Sequence, residues 1–228
     1  TTGSNNTAIG KGALDASTTA SDNTAVGENA LSANTTGTDN VALGVSALAN
    51  NTTASNNTAL GRKTLLTNST GASNTAVGNR ALFANTTASE NVADALDANT
   101  SASFNTAVGS QALTSNTTGT SNTAIGRYSL PNNTTADNNT AVGRNCMAAN
   151  TTGHSNVAVG SSALQTNQTG NNNTAIGYLS LDKTTQDANV AVGNYTLREN
   201  LTGEYNTATG YAALTKNTTA NNNTAFGY

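Results

Sequence analysis

Fourteen copies of one short unit, Asn-Thr-Ala-Val-Gly-x-x-Ala-Leu-x-x-Asn-Thr-Thr-Gly-x-x, run through the chain, starting at Asn6, Asn23, Asn40, Asn57, Asn74, Asn91, Asn105, Asn122, Asn139, Asn156, Asn173, Asn189, Asn206 and Asn223. Seventeen residues cannot bury a core alone, so the copies must stack on one another, and the chain has to be a solenoid or fibre. The register is unbroken and leaves no linker, so residues 1–228 read as a single repeat array. Both termini fall inside a repeat, which reads as an excerpt of a longer fibre. The copy at 91–104 is irregular: it lacks three residues around positions 4 to 6, including the Val expected in the core of each coil and the corner Gly. A Val-sized gap, a change in coil width or a small bend, and faster amide exchange at Val92 to Leu96 are therefore expected there.

Numbered from the first Asn, positions 2 to 5 carry β-branched residues and then Gly, no 3.6-residue period fits, and Asn-Thr-Thr-Gly at 12 to 15 suits a turn. Seventeen residues give roughly 56 Å of contour, close to the roughly 50 Å needed by two strand faces of about 15 Å held about 10 Å apart. The expectation is therefore an all-β parallel solenoid, a flat β-roll with a second strand at Ala-Leu. Stacked at about 4.8 Å, its fourteen coils make a rod of roughly 65 Å. The Asn at position 1 should bond to its equivalents in neighbouring coils. Position 9, Leu from Leu14 to Leu214 with Met147 as the one replacement, should fill the core.

Position 3 is Ala in every copy, and position 4 is nearly always Val, Ile or Leu. Neighbours on a strand face opposite ways, so only one of these rows lies inside. The other is an apolar stripe that needs covering, which points to a homo-oligomer.

The strand motif, as in Asn74-Thr75-Ala76-Val77-Gly78 and Asn156-Val157-Ala158-Val159-Gly160, resembles the repeats in the heads of trimeric autotransporter adhesins. The full unit, with Ala-Leu and Asn-Thr-Thr-Gly, is similar to repeat arrays of tail-fibre and bacterial surface proteins that end in a self-cleaving chaperone domain. The resemblance spans the whole chain. It implies a left-handed roll wound as a homotrimer and serving as the shaft or head of an extracellular appendage, on a virion or a cell, with attachment to a glycan or receptor.

The remaining inventory is poor in chemistry: charged residues are 9%, net charge is −3, and the nine basic residues form no stripe for nucleic acid. No apolar run is long enough to span a membrane. The only His, His154, sits in a turn, and the only Cys, Cys146, takes a position held elsewhere by Ala, Ser or Thr, so no catalytic site is expected. Asp39, Asp94, Asp97, Asp137, Asp182 and Asp187 lack calcium-loop spacing, and the glycines lack phosphate-loop spacing, so neither metal nor cofactor is expected. Position 12 supplies sequons at Asn34, Asn51, Asn68, Asn85, Asn99, Asn116, Asn133, Asn150, Asn167, Asn200 and Asn217, which are candidate glycosylation sites or simply a repeated turn. Tyr178, Tyr195, Tyr211 and Tyr228 recur in four consecutive coils, either as a glycan-contact track or as a packed ladder. Two alternatives to the fibre are a filament of chains stacked end to end and an ice-binding solenoid presenting Thr rows.

Overall fold

A computed structural model describes residues 2–94 and 96–228. Fourteen short strands follow one another in chain order in a parallel sheet, and no helix occurs among the described residues. The chain is thus an all-β solenoid. It divides into two compact units, residues 1–106 and 107–228.

The first unit carries β1 (Thr7–Ile9), β2 (Thr24–Val26), β3 (Val41–Leu43), β4 (Thr58–Leu60), β5 (Thr75–Val77) and β6 (Val92–Ala93). Equivalent residues pair, as in Ala42↔Ala59 and Ala59↔Ala76. After β7 (Thr106–Val108), the second unit holds β8 (Thr123–Ile125), β9 (Thr140–Val142), β10 (Val157–Val159), β11 (Thr174–Ile176), β12 (Val190–Val192), β13 (Thr207–Thr209) and β14 (Thr224–Phe226), in the same register.

Each coil has only one strand. The second strand face expected at Ala-Leu is replaced by tight turns in which the core Leu adopts a left-handed backbone, with φ of +50° at Leu48 and +52° at Leu164. A left-handed L-residue costs about 1–2 kcal/mol, which the full burial of a Leu side chain, about 1.5–3 kcal/mol, offsets. The conformation aims the Leu48 N–H along the stack, where it donates to the Thr64 carbonyl at 3.0 Å while the side chain is wholly buried.

Backbone donors leave the coil in both directions. In the coil starting at Asn40, Gly44, Ser46 and Asn56 donate to the preceding coil, at Val26, Glu28 and Thr38, while Val41, Leu48, Asn50 and Thr52 donate to the following one. This coil is therefore tied to both of its neighbours along most of its length. This meets the requirement that backbone polar groups be paired in so thin a body.

The core is narrow: Ala at position 3, a small residue at 8 (Ala, or Thr64, Ser129, Cys146, Ser180 and Thr196), Leu or Met147 at 9, and asparagines at 1 and 12. Asn40 and Asn51, positions 1 and 12 of one coil, both donate Nδ2 to the Ala54 carbonyl at 2.9 Å and so clamp the coil shut. The same amides reach the preceding coil, Asn40 to Asn23 Oδ1 at 3.1 Å and Asn51 to Asn34 Oδ1 at 3.0 Å. The second unit repeats the device, with Asn156 and Asn167 converging on the Gly170 carbonyl. The expected position 1 ladder is present, and a second one at position 12 accompanies it.

The alternation of positions 3 and 4 is also resolved. Ala25, Ala42, Ala59 and Ala76 are completely buried, whereas Leu43 and Val77 are 48% exposed. Val, Ile and Leu at position 4 face outward, contrary to the expectation that the core takes one of them per coil. At position 3 the core holds Ala alone, beside the small residue at position 8, the Leu plug and the two amides.

This changes the meaning of the short copy at 91–104. Its missing position 4 costs the core nothing, so no Val-sized void follows. Leu96 is fully buried, β6 pairs with β5 through Thr75↔Val92 and Ala76↔Ala93, and Asn99 still bonds Asn85 at 2.9 Å. What is lost is the outer-face residue and the corner glycine. Ala95, within the stretch Val92 to Leu96 where faster amide exchange is expected, lies outside the described residues.

Corner glycines elsewhere are required. Gly143 has φ of +139°, and a Cβ there would sit 2.5 Å from the Gly160 carbonyl oxygen one coil away.

Candidate functional site

Position 3 points inward, so positions 2 and 4 of each strand make the outer face. In the first unit it consists of Thr7, Thr24, Val41, Thr58, Thr75 and Val92 in one row, with Ile9, Val26, Leu43, Leu60 and Val77 in the other. Ile9 is 61% exposed and Leu43 48%. In the second unit Ile125, Val159 and Ile176 are exposed in the same way, and Thr209 and Phe226 occupy the last two outward positions. No strand residue of either unit is charged. A run of exposed β-branched residues in exact parallel register is a flat apolar face, the kind of surface that marks an interaction site.

The tyrosines lie beside this face in the second unit, just past the corner glycines. Tyr178 and Tyr195 have ring centroids 5.4 Å apart, Tyr195 and Tyr211 5.7 Å, and both pairs meet edge to face. Tyr211 and Tyr228 are stacked at 5.4 Å. The four rings form a continuous track with Tyr178 and Tyr211 exposed and Tyr195 half-buried between them, near the Arg198 guanidinium. Edge contacts of this kind stabilise by about 0.5–1.5 kcal/mol each, and the exposed ring faces remain open to a ligand.

The sequon asparagines are placed quite differently. Asn34, Asn51, Asn68, Asn85, Asn99, Asn116, Asn133, Asn150, Asn167 and Asn200 have no exposed surface, and Asn217 is part-buried with its Nδ2 donated to Asn200 and Ala220. A glycan replaces a hydrogen on that nitrogen, and the folded coil holds it inside the position 12 ladder. The reading of position 12 as a repeated structural turn therefore displaces glycosylation of the folded protein.

The groups with potential chemistry do not converge. Cys146 is buried, its Sγ lies 3.2 Å from the Ala158 carbonyl oxygen, and burial pushes its thiol up to about 12. His154 Nδ1 meets the Ser155 hydroxyl at 3.2 Å, while Asp137 Oδ1 accepts the Thr120 N–H at 2.6 Å. Both line a shallow recess with Thr135, Ala136, Asn138 and Thr152, but no hydrogen bond joins them. Among the described residues no group of three or more His, Cys, Asp or Glu is placed to hold a metal ion.

One recurring feature lies outside the sequence reading. The side chain at position 16 accepts the position 16 N–H of the preceding coil, from Ser55 for Thr38, Asp137 for Thr120, Asn171 for His154 and Asn221 for Glu204. The enrichment of Ser, Asn and Asp at that position is the signal that could have revealed it. Comparison with family models, with curated proteins and with solved structures returns no match.

Proposed function

We propose that this chain is a structural segment of an extracellular fibre, the shaft or head of a viral tail fibre or of a bacterial surface adhesin, built from several copies of itself. The observation that carries the reading is the outward row of Val, Ile and Leu on a strand face without charge. A lone solenoid has no use for that row in water, whereas a bundle of copies buries it. The ladders running along the stack give such a bundle stiffness. A homotrimer of left-handed coils, as the resemblance to adhesin heads implies, is one such bundle, and the tyrosine track is its candidate contact for a glycan or receptor.

The test is localisation on the native particle. An antibody raised against the purified chain should label a projecting fibre of a virion or cell in electron micrographs, and labelling confined to the cell interior refutes the reading. A second reading rests on the Thr row beside the apolar row: in register, these present a flat lattice of hydroxyls and methyls that could order water as an ice-binding face does. Thermal hysteresis in solutions of the purified chain would favour it.

A further inference from the structure

The outer face has margins of opposite charge. In the first unit the residues just before the position 1 asparagine include Asp22, Asp39 and Glu90, all exposed, and no Lys or Arg. The residues at and just after the corner include Lys11, Arg62, Lys63 and Arg80, with Glu28 and, in the short copy that lacks the glycine, Asp94 as the acids. In the second unit Arg127 and Arg144 follow the corner glycines, while Asp137, Asp187 and Glu204 stand one place earlier than the acids of the first unit, half-buried, with Asp137 and Asp187 accepting backbone N–H groups of the preceding coil. Charges on the far side of the coil behave otherwise: they mix signs and pair within the chain, Lys216 with Glu199 and Arg198 with Asp182. Arg80, on the basic margin, pairs with Asp97.

Resting on the reading of the chain as a self-associating fibre, we propose that the outer face binds a second copy of this chain in parallel orientation, the basic margin of one copy lying along the acidic margin of the other. The charge pattern selects the symmetry. Rotating a copy about an axis parallel to the direction of stacking brings its strand face against the first with strand direction reversed, so acid meets base along both margins. Rotation about an axis along the strands instead lays acid on acid and base on base while inverting the stacking direction. Only rotation about the stacking direction is complementary, and it keeps equivalent coils of the two copies level.

Area argues that the margins take part. One coil offers roughly 5 Å by 10 Å of three-residue strand, so six coils present about 300 Å², well under the roughly 800 Å² per partner of a stable interface. Extending the contact across both margins, about 25 Å wide in all, brings it to about 700 Å². The apolar rows exclude water, and the margins set partner and direction, as complementary charge does at other interfaces.

The experiment uses the full chain. One variant carries Asp22→Lys, Asp39→Lys and Glu90→Lys, and a second carries Lys11→Glu, Arg62→Glu and Arg80→Glu. All six are surface positions, and circular dichroism checks that both variants fold. Each alone should self-associate roughly 10- to 100-fold more weakly than wild type at low salt, and an equimolar mixture should recover association. Two further chains, Cys146→Ser with Thr24→Cys and Cys146→Ser with Val26→Cys, should form a mixed disulfide-linked dimer with each other on oxidation, because the reversed strand direction sets residue 24 of one copy opposite residue 26 of the other. A wild-type chain that stays monomeric overturns the self-association reading and this inference together, and monomers that show thermal hysteresis assign the face to ice. An oligomer indifferent to the reversals, or one without the cross-link between residues 24 and 26, overturns the parallel charge-paired seam alone.

Discussion

Removing one ladder asparagine should unfasten a coil, and Asn57 shows by how much. Its Nδ2 donates to the Gly71 carbonyl at 3.0 Å and lies 3.3 Å from both Asn40 Oδ1 and the Ser55 carbonyl, while its Oδ1 accepts the Asn74 N–H at 3.0 Å and the Asn74 Nδ2 at 3.1 Å. Most of these partners have a second bond. The Gly71 carbonyl keeps Asn68, Asn40 Oδ1 keeps the residue 57 N–H, and Asn74 Nδ2 keeps the Ala88 carbonyl. The Asn74 N–H loses the partner shown for it and is buried, an orphan worth about 1–3 kcal/mol. Adding the net loss of one or two complete hydrogen bonds and a small cavity, Asn57→Ala should cost about 3–5 kcal/mol. Asn57→Asp keeps the shape but turns a carboxylate oxygen toward two carbonyl oxygens. Its carboxyl should titrate above the ordinary Asp range in the folded state, so the variant is least impaired below the unfolded pKa and loses stability as pH rises through the folded one. Urea melts of both variants, with hydrogen exchange at the Asn74 amide, provide the readout. A loss below about 1 kcal/mol for Asn57→Ala with unchanged Asn74 protection would refute the clamp.

Gly143→Ala should destabilise by about 3 kcal/mol or more in urea melts, since φ is +139° and the new Cβ meets backbone, whereas Ala212→Gly, at φ +57°, should stabilise by about 1 kcal/mol. Tyr195→Ala with Tyr211→Ala should abolish binding to glycan arrays while costing about 1.5–4.5 kcal/mol, the worth of the two edge contacts and one stacked contact they make; a larger loss of stability with binding intact makes the track a packing ladder. Cys146, with its thiol held at about 12, should resist a thiol reagent at pH 8 in the native chain and react fully in urea. Burial raises the Asp182 carboxyl despite Arg198 and Lys183, so its penalty is absent below the unfolded pKa and grows as pH rises through the folded one. Asp182→Asn should remove that slope from stability measured between pH 3 and pH 7.

The repeat made the solenoid legible because periodicity alone forces stacking, and the invariant Asn and Leu columns marked the core. Two features stayed hidden for physical reasons. Alternation says that Ala76 and Val77 face opposite ways but not which faces in, and hydrophobicity alone favours burying the valine. The deciding quantity is the width of a coil already holding a Leu, a small residue at position 8 and two amides, which leaves position 3 to Ala. The turn half was misread as a strand because Leu is a poor candidate for left-handed backbone, and only the stacking hydrogen bonds make Leu48 or Leu164 adopt it. The Asn-Thr-Thr signature likewise suits a glycan site and a ladder equally well until burial separates them.

With Ala inside and Val outside, self-association is tested at Val: Ala76→Glu attacks the core of a single coil, whereas Val77→Glu with Val159→Glu alters only the outer face. The most direct measurement is the solution molar mass of these two chains by light scattering at micromolar concentration. A seam on the outer face predicts a wild-type mass that is a multiple of 22.7 kDa and a folded double variant at 22.7 kDa. A wild-type chain at 22.7 kDa, or a double variant that assembles as well as wild type, would contradict it.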